Sequence, residues 1–292
     1  MKKFWINLLL AMSLTASLTF ISCNDEPEPE PFMAPTTQQN KVALLEDFTG
    51  VRCGYCPDGH VKAKAVADAN PGKFIILCVH AGSYAAPAAG WANFTTPFGD
   101  AFVSQAMVSG YPAGTISRIP AASLGVTPQK SGGYAMSRSY WATAAGVVLN
   151  QAAPVNIGAS ATLDATTRLL TVKVDLHYMS EVTGSNNLNV AIVQNKIISK
   201  QSGGTPNPDA YEQNHVLRHL ITGQWGDVIS ATGQAAGSQV RKTYTYTVPS
   251  DYNGATIPPG GGAVVDANLR VVIFVCNGKV NVLNAKSIYI QQ

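Results

Sequence analysis

Two thiols sit three residues apart in Cys53-Gly54-Tyr55-Cys56, with Pro57 directly after them. That spacing lets a disulfide form and break within one helical turn, and it is the working part of thiol–disulfide exchange. The first thiolate attacks a substrate disulfide, and the second resolves the mixed disulfide and releases product. A free thiol is mostly protonated at neutral pH, so such a site must favour the thiolate. A helix beginning near Cys53 would aim backbone N–H groups and the helix dipole at its sulfur. Arg52 adds a positive neighbour when its side chain folds back. Cys56, one turn inside the helix, would be buried and keep its proton.

Two other readings of the pair compete with exchange. A single CxxC is half a zinc site; zinc takes four ligands, and His60 and His80 could complete a Cys₂His₂ set. A permanent structural disulfide is the other. The redox pair is preferred because it also accounts for the strand, acid and proline described below, and no metal or cofactor is expected. Asp58 and His60 could tune the dithiol or simply form a solvated first helical turn. His215 and His219 are four apart with no third ligand nearby and read as loop histidines. Cys78 and Cys276 lie in apolar runs and read as buried inert thiols, which pack as small hydrophobes.

The elements that must hold the dithiol follow from pattern. Residues 41–48 read as a strand, 49–52 as a turn, and a helix from about Cys53 to Ala69 is stopped by Asn70-Pro71-Gly72. Residues 74–80 (Phe-Ile-Ile-Leu-Cys-Val-His) form a continuous apolar run suited to a sheet covered on both faces. Together they make a βαβ unit. Residues 81–110 are irregular and rich in Ala, Gly and Pro, with one helix expected at 97–107. Tyr84, Trp91, Phe94 and Phe98 form the core of this segment or line a groove beside the dithiol. Tyr111-Pro112 precedes a short strand at 113–119, and a helix is expected at 137–151.

After Pro154 the period changes from 3.6 to 2. Residues 170–178 and 242–248 alternate cleanly. Further strands are expected at 155–163, 188–198, 269–276 and 281–290, with a helical turn at 211–220 and a loop tip at Pro258-Pro259-Gly260-Gly261-Gly262. Short strands separated by turn residues indicate an antiparallel sandwich, with the domain boundary at 152–154.

The N-terminus carries an address. Lys2 and Lys3 precede an apolar stretch that ends at Phe20-Ile21-Ser22-Cys23, so residues 1–22 read as a cleaved signal. The small residue before Cys23 resembles a bacterial lipobox, which implies lipidation of Cys23 and attachment to a membrane through acyl chains. Residues 24–31 alternate Pro with Glu and stay extended as a tether. Acidic residues directly after the lipidated Cys also resemble the surface-export signal of Bacteroidetes lipoproteins. The chain has 20 basic and 17 acidic side chains, a formal +3; without Lys2 and Lys3 this becomes +1. Charged residues are 13% of the chain and no basic stretch occurs, which argues against nucleic acid as a partner.

Residues 45–56 resemble the active-site strand and turn of the thioredoxin superfamily. In that family a buried acid followed by Phe lies six residues before the first Cys, and Asp47-Phe48 match it. The resemblance implies that Asp47 relays a proton to or from Cys56. It also implies a cis-proline facing the dithiol, for which Pro112 is the fitting residue. Arg52 departs from the family's Trp, and Pro57 departs from its usual helix continuation. More narrowly, Asp47-Phe48-Thr49-Gly50-Val51-Arg52-Cys53-Gly54-Tyr55-Cys56-Pro57, Asn214-His215-Val216-Leu217-Arg218 and Asn281-Val282-Leu283-Asn284-Ala285 resemble the 28-kilodalton Omp-type outer-membrane lipoprotein family of Bacteroidetes.

The expectation is therefore a lipoprotein of four parts: a signal at 1–22, a lipidated acidic tether at 23–40, a thioredoxin-like α/β domain at 41–150 with an insertion near 81–110, and an antiparallel, Ig-like β-sandwich at 151–292. Its expected place is the outer membrane, lipid-anchored, with the acidic tether pointing to the cell surface. The expected activity is thiol–disulfide exchange by Cys53, Cys56, Asp47, Pro112 and Arg52 on protein or peptide disulfides or thiols, with an electron donor that the residues do not name. The alternative is a surface binding or adhesion protein whose sandwich does the work and whose CxxC is structural.

Overall fold

The computed structural model describes residues 32–252 and 263–292. The signal, Cys23, the Pro-Glu run and the loop tip at 258–262 lie outside the described residues. The first half contains β1 (Ala43–Thr49), α1 (Cys56–Ala69), β2 (Phe74–His80), α2 (Gly99–Ala106), β3 (Ala113–Ile116), β4 (Met136–Ser137) and α3 (Trp141–Leu149). Strands β1 and β2 run parallel, β3 pairs antiparallel with the other edge of β1, and β4 follows β3. Every residue of β1 and β2 is buried, as a continuous apolar run covered on both faces requires. Ala63, Val66, Trp141, Ala144 and Val148 of α1 and α3 pack with Leu45 and Ile76 on one face. Phe102 and Ala106 of α2 pack with Leu44, Phe48 and Leu77 on the other.

The second half contains β5 (Val155–Leu163), β6 (Leu169–Tyr178), β7 (Val182–Thr183), β8 (Asn186–Gln194), β9 (Ile197–Ser199), β10 (Tyr211–Gln213), β11 (Val216–Leu220), β12 (Asp227–Ser230), β13 (Gly233–Gln234), β14 (Gln239–Thr247), β15 (Leu269–Asn277) and β16 (Val280–Tyr289). Strands β14, β6 and β5 form an antiparallel three-stranded sheet. Its inward residues, among them Val155, Leu170, Val172 and Val174, share a core with Leu188, Val190, Val271 and Ile273 of β8 and β15. This is a two-layered β arrangement.

The outer layer is not a separate sheet. One nine-stranded sheet runs β16-β15-β8-β11-β2-β1-β3-β4, with β12 also on β8, and so crosses from one half of the chain to the other. The joint is narrow. Val216 of β11 aligns with Cys78 of β2, and the Cys78 N–H donates to the His215 carbonyl at 2.8 Å.

A second tie is electrostatic. Arg118 grips Glu46 with Nε at 3.0 and 3.1 Å and Nη2 at 2.6 Å, and Thr115 adds a hydroxyl at 2.9 Å. The guanidinium lies 4.7 Å from the ring centre of Phe102 and 5.1 Å from that of Phe274, so this buried pair is boxed by aromatic faces from both halves.

Three local expectations need correction. Residues 211–220 are not a helical turn. They form β10 and β11, because pairing with β9 and β8 satisfies their backbone and buries Gln213, Val216 and Leu217. The last residues of the expected tether are held against the β layer: Ala34 N–H donates to Asp175 at 2.8 Å, and Asn156 donates to the Pro35 and Thr37 carbonyls. Finally, α1 begins at Cys56 rather than Cys53. Two successive turns precede it, closed by Cys53 N–H to Gly50 carbonyl and Cys56 N–H to Cys53 carbonyl.

Candidate functional site

Cys53 and Cys56 are joined as a disulfide between the end of β1 and the start of α1. Pro57 occupies the first turn of α1, where its missing N–H has no helical partner to lose. Asp58 in that turn favours the helix dipole and pairs with Arg138, which holds its carboxyl below the usual range. Because the helix starts at Cys56, its free N–H groups follow that residue.

Pro112 packs on the helix that carries Cys56. The Tyr111–Pro112 peptide is cis, and the proline ring would meet a Cβ on Gly59 at 3.1 Å. Gly59 is three residues beyond Cys56, so the proline packs on the first turn of α1 and any larger residue at 59 would push it away. Arg52 is turned elsewhere. Its guanidinium donates to the Ser83 carbonyl and its N–H to the Tyr84 carbonyl, so it anchors the loop after β2.

On β1, which leads into the dithiol turn, Asp47 is fully buried, with Oδ1 lacking a hydrogen-bond partner. Desolvation raises its pKa to about 8, against a weaker lowering by the Cys78 thiol 3.9 Å from Oδ2. Asp47 is therefore mostly protonated at neutral pH. His60, one turn inside α1, brings Nε2 to 3.7 Å from Asp47 Oδ2 and 3.0 Å from Thr49 Oγ1. Its Nδ1 meets Tyr211 Oη at 2.9 Å. Burial lowers the His60 pKa to about 4; its side chain keeps 16% exposure, so solvent softens that shift.

Gln201, Ser202, Gly203 and Tyr211 carry no sequence signal for a place here. The loop between β9 and β10 folds over the dithiol turn. Gln201 Nε2 donates to the Gly50 and Cys53 carbonyls at 3.2 and 3.1 Å, while its Oε1 accepts from Gln213. Ser202 N–H donates to the Val51 carbonyl at 2.8 Å. Gly203 has φ +71°, and a Cβ there would lie 2.2 Å from the Gly54 carbonyl oxygen, so only glycine fits under this contact. As a result Cys53 is 2% exposed, whereas Tyr55 beside it is 72% exposed.

The other sequence candidates are dispersed. Cys78 and Cys276 are free and buried. Phe94 packs with Val51, Ala92, Ile197 and Val216 in a small core beneath the covering loop, and Trp91 leans on it. His80 stacks edge-on against Phe94 at 5.0 Å and makes no contact that would join it to the dithiol. His219 stacks on Tyr246 at 4.4 Å.

The molecule is thus a mixed α/β protein with a disulfide-bonded cysteine pair at a strand–helix junction, a buried acid on the strand before it, and a loop from the β-rich half over it. Residues 99–292 match the family model of the outer membrane protein Omp28, which spans more than half of the chain, and the protein belongs to that family. No curated protein matches it. Among solved structures it resembles HBP35 of Porphyromonas gingivalis, with a TM-score of 0.61 and 17% identity over 86% of this chain and 76% of that one. That likeness is one of fold. A protein of Agrobacterium tumefaciens aligns over 87% of this chain and 96% of its own at 12% identity, with a TM-score of 0.49.

Proposed function

We propose that this outer membrane protein is a lipid-anchored thiol–disulfide oxidoreductase of the cell envelope, acting on protein or peptide disulfides through Cys53 and Cys56. The observation that carries this reading is a disulfide at a strand–helix junction whose strand carries the buried, mostly protonated Asp47 and whose helix packs on Pro112. A structural disulfide needs neither group. In the reducing direction, the Cys53 thiolate attacks a substrate disulfide; a Cys53–substrate bond forms and one substrate thiolate leaves. The ionised fraction of Asp47 takes the Cys56 proton, and the Cys56 thiolate attacks the Cys53 sulfur and expels the second substrate thiolate. The protein pair loses two electrons and the substrate gains them. A dithiol donor must then restore the pair, and the reverse sequence oxidises a substrate dithiol. Cys23 is the expected anchor and Arg52 a positioning residue, acting through the loop it holds.

A second reading has a specific observation in its favour: Cys53 lies under the loop of Gln201–Gly203, so the chain could be a surface binding lipoprotein whose disulfide is a staple. Trapping separates the two. Cys56→Ser should accumulate a mixed disulfide with a disulfide-bonded peptide, and Cys53→Ser should not. Failure of Cys56→Ser to trap any peptide, after the loop has been loosened by Gln201→Ala, favours the staple.

A further inference from the structure

We propose that Asp47, His60 and Cys78 form a binding site for a divalent transition-metal ion of the zinc class. This does not rest on the exchange reading, since none of its ligands is a dithiol cysteine. The three residues come from three elements. Asp47 and Cys78 are direct partners across the parallel β1–β2 ladder, so both side chains leave the same face of the sheet. His60 reaches them from α1, which covers that face.

One ligand atom from each residue lies within 4.8 Å of the others. Asp47 Oδ2 is 3.7 Å from His60 Nε2 and 3.9 Å from Cys78 Sγ. Tetrahedral zinc with bonds of about 2.0–2.3 Å separates its ligand atoms by roughly 3.4 Å, so the two Asp47 pairs need to close by a few tenths of an ångström and the His60–Cys78 pair by up to about 1.4 Å. A mixed oxygen, nitrogen and sulfur set suits zinc or cobalt and not magnesium or calcium.

Three further features point to an ion. Asp47 Oδ1 is buried without a partner, a costly arrangement for a carboxyl group and one that a cation relieves. His60 is already held by Tyr211 Oη at Nδ1; in the tautomer in which Nδ1 donates, Nε2 keeps a lone pair that accepts from Thr49 Oγ1 and would turn to the metal. The carboxylate and thiolate together carry the charge that a divalent ion neutralises. Access exists as well. A cleft of about 1370 Å³ is lined by Asp47, His60 and Cys78 together with Tyr211 and His215. Three protein ligands leave a fourth position for water from that cleft.

Burial keeps both the Asp47 carboxyl and the Cys78 thiol protonated at neutral pH in the metal-free protein. Metal binding therefore releases their protons, and affinity should rise with pH. An occupied site would also take Asp47 away from any exchange with Cys56.

The test uses the full chain with its Cys53–Cys56 disulfide intact, verified by mass, so that the dithiol cannot supply ligands. Titration with Zn²⁺ should give one ion per chain, and Co²⁺ should show a thiolate-to-cobalt charge-transfer band. Cys78→Ser should abolish the band, and Cys276→Ser should leave it unchanged. Tyr211→Phe, which frees His60 without removing a ligand, should weaken binding by about 10- to 100-fold. Absence of zinc binding by the unsubstituted chain overturns the proposal. So does cobalt binding without the thiolate band, or a band that survives Cys78→Ser; the first two outcomes need no variant to fold.

Discussion

Glu46 and Asp47 are neighbours on one strand, both carboxylic acids and both buried, yet they face opposite worlds. Alternation along β1 sends Glu46 to the face shared with α2 and the β-rich half, and Asp47 to the face under α1. Glu46 meets a guanidinium, a hydroxyl and a ring of aromatics, and joins the two halves of the chain. Asp47 meets a thiol and an imidazole at long range and keeps one oxygen unpaired. A buried acid that is fully paired holds structure together. One left short of partners keeps its proton near neutrality and is available for chemistry.

The largest effect should come from breaking the paired side. Arg118→Ala leaves the Glu46 carboxylate buried with only the Thr115 hydroxyl as partner, and should cost about 3–5 kcal/mol in urea unfolding. An equally large loss from Asp47→Asn would erase the contrast between the two acids. The replacement should instead hold or raise stability near neutral pH.

The pH dependence sharpens the same point. The Asp47 pKa is raised from 3.8 to about 8 by folding, so the protein takes up a proton as it folds at neutral pH. Its contribution is complete below pH 4 and is lost as pH rises toward 8, with a slope of up to about 1.4 kcal/mol per unit. Buried His60, His80 and His215 work in the opposite sense. Their pKa values fall to about 4, 3 and 4, so their contribution is complete above pH 6.5 and is lost as acid is added. Between pH 6.5 and 8 the difference in slope between the unsubstituted protein and Asp47→Asn isolates the Asp47 contribution, because the histidines act alike in both. Below pH 6.5 stability should drop steeply in both proteins.

A smaller, kinetic effect is expected at the roof. Gln201→Ala removes the donor to the Gly50 and Cys53 carbonyls, worth about 1 kcal/mol, and should speed reduction of the disulfide by a soluble thiol several-fold. An unchanged rate would mean that the loop does not gate Cys53.

The residues differ in how plainly they could be read. β2 was legible to the residue, because a continuous apolar run of that length bounded by turn residues leaves little choice of element. Asp47, the dithiol and Pro112 lie within one short stretch plus a single turn, where local spacing carries the information. The roof was hidden because Gln201 lies 148 residues beyond Cys53 in a polar loop, and nothing in the residues around it says which backbone carbonyls its side chain will meet. The continuous sheet was hidden for a similar reason. The β11–β2 joint rests on one aligned residue pair, and a buried strand pattern does not say which strand lies next to it. Glu46 and Arg118 are 72 residues apart, and neither has a motif around it. His60 was visible as a residue near the dithiol, but its link to Tyr211 came only with the fold.

The central claim is that Cys53 and Cys56 exchange electrons with other disulfides. It is tested most directly by equilibrating the full chain in glutathione buffers, alkylating it, and weighing the Cys53–Cys56 peptide by mass spectrometry. A midpoint between about −120 and −270 mV is the expected result, in the range of catalytic dithiols. A midpoint below about −300 mV would mark a structural bridge and contradict the account.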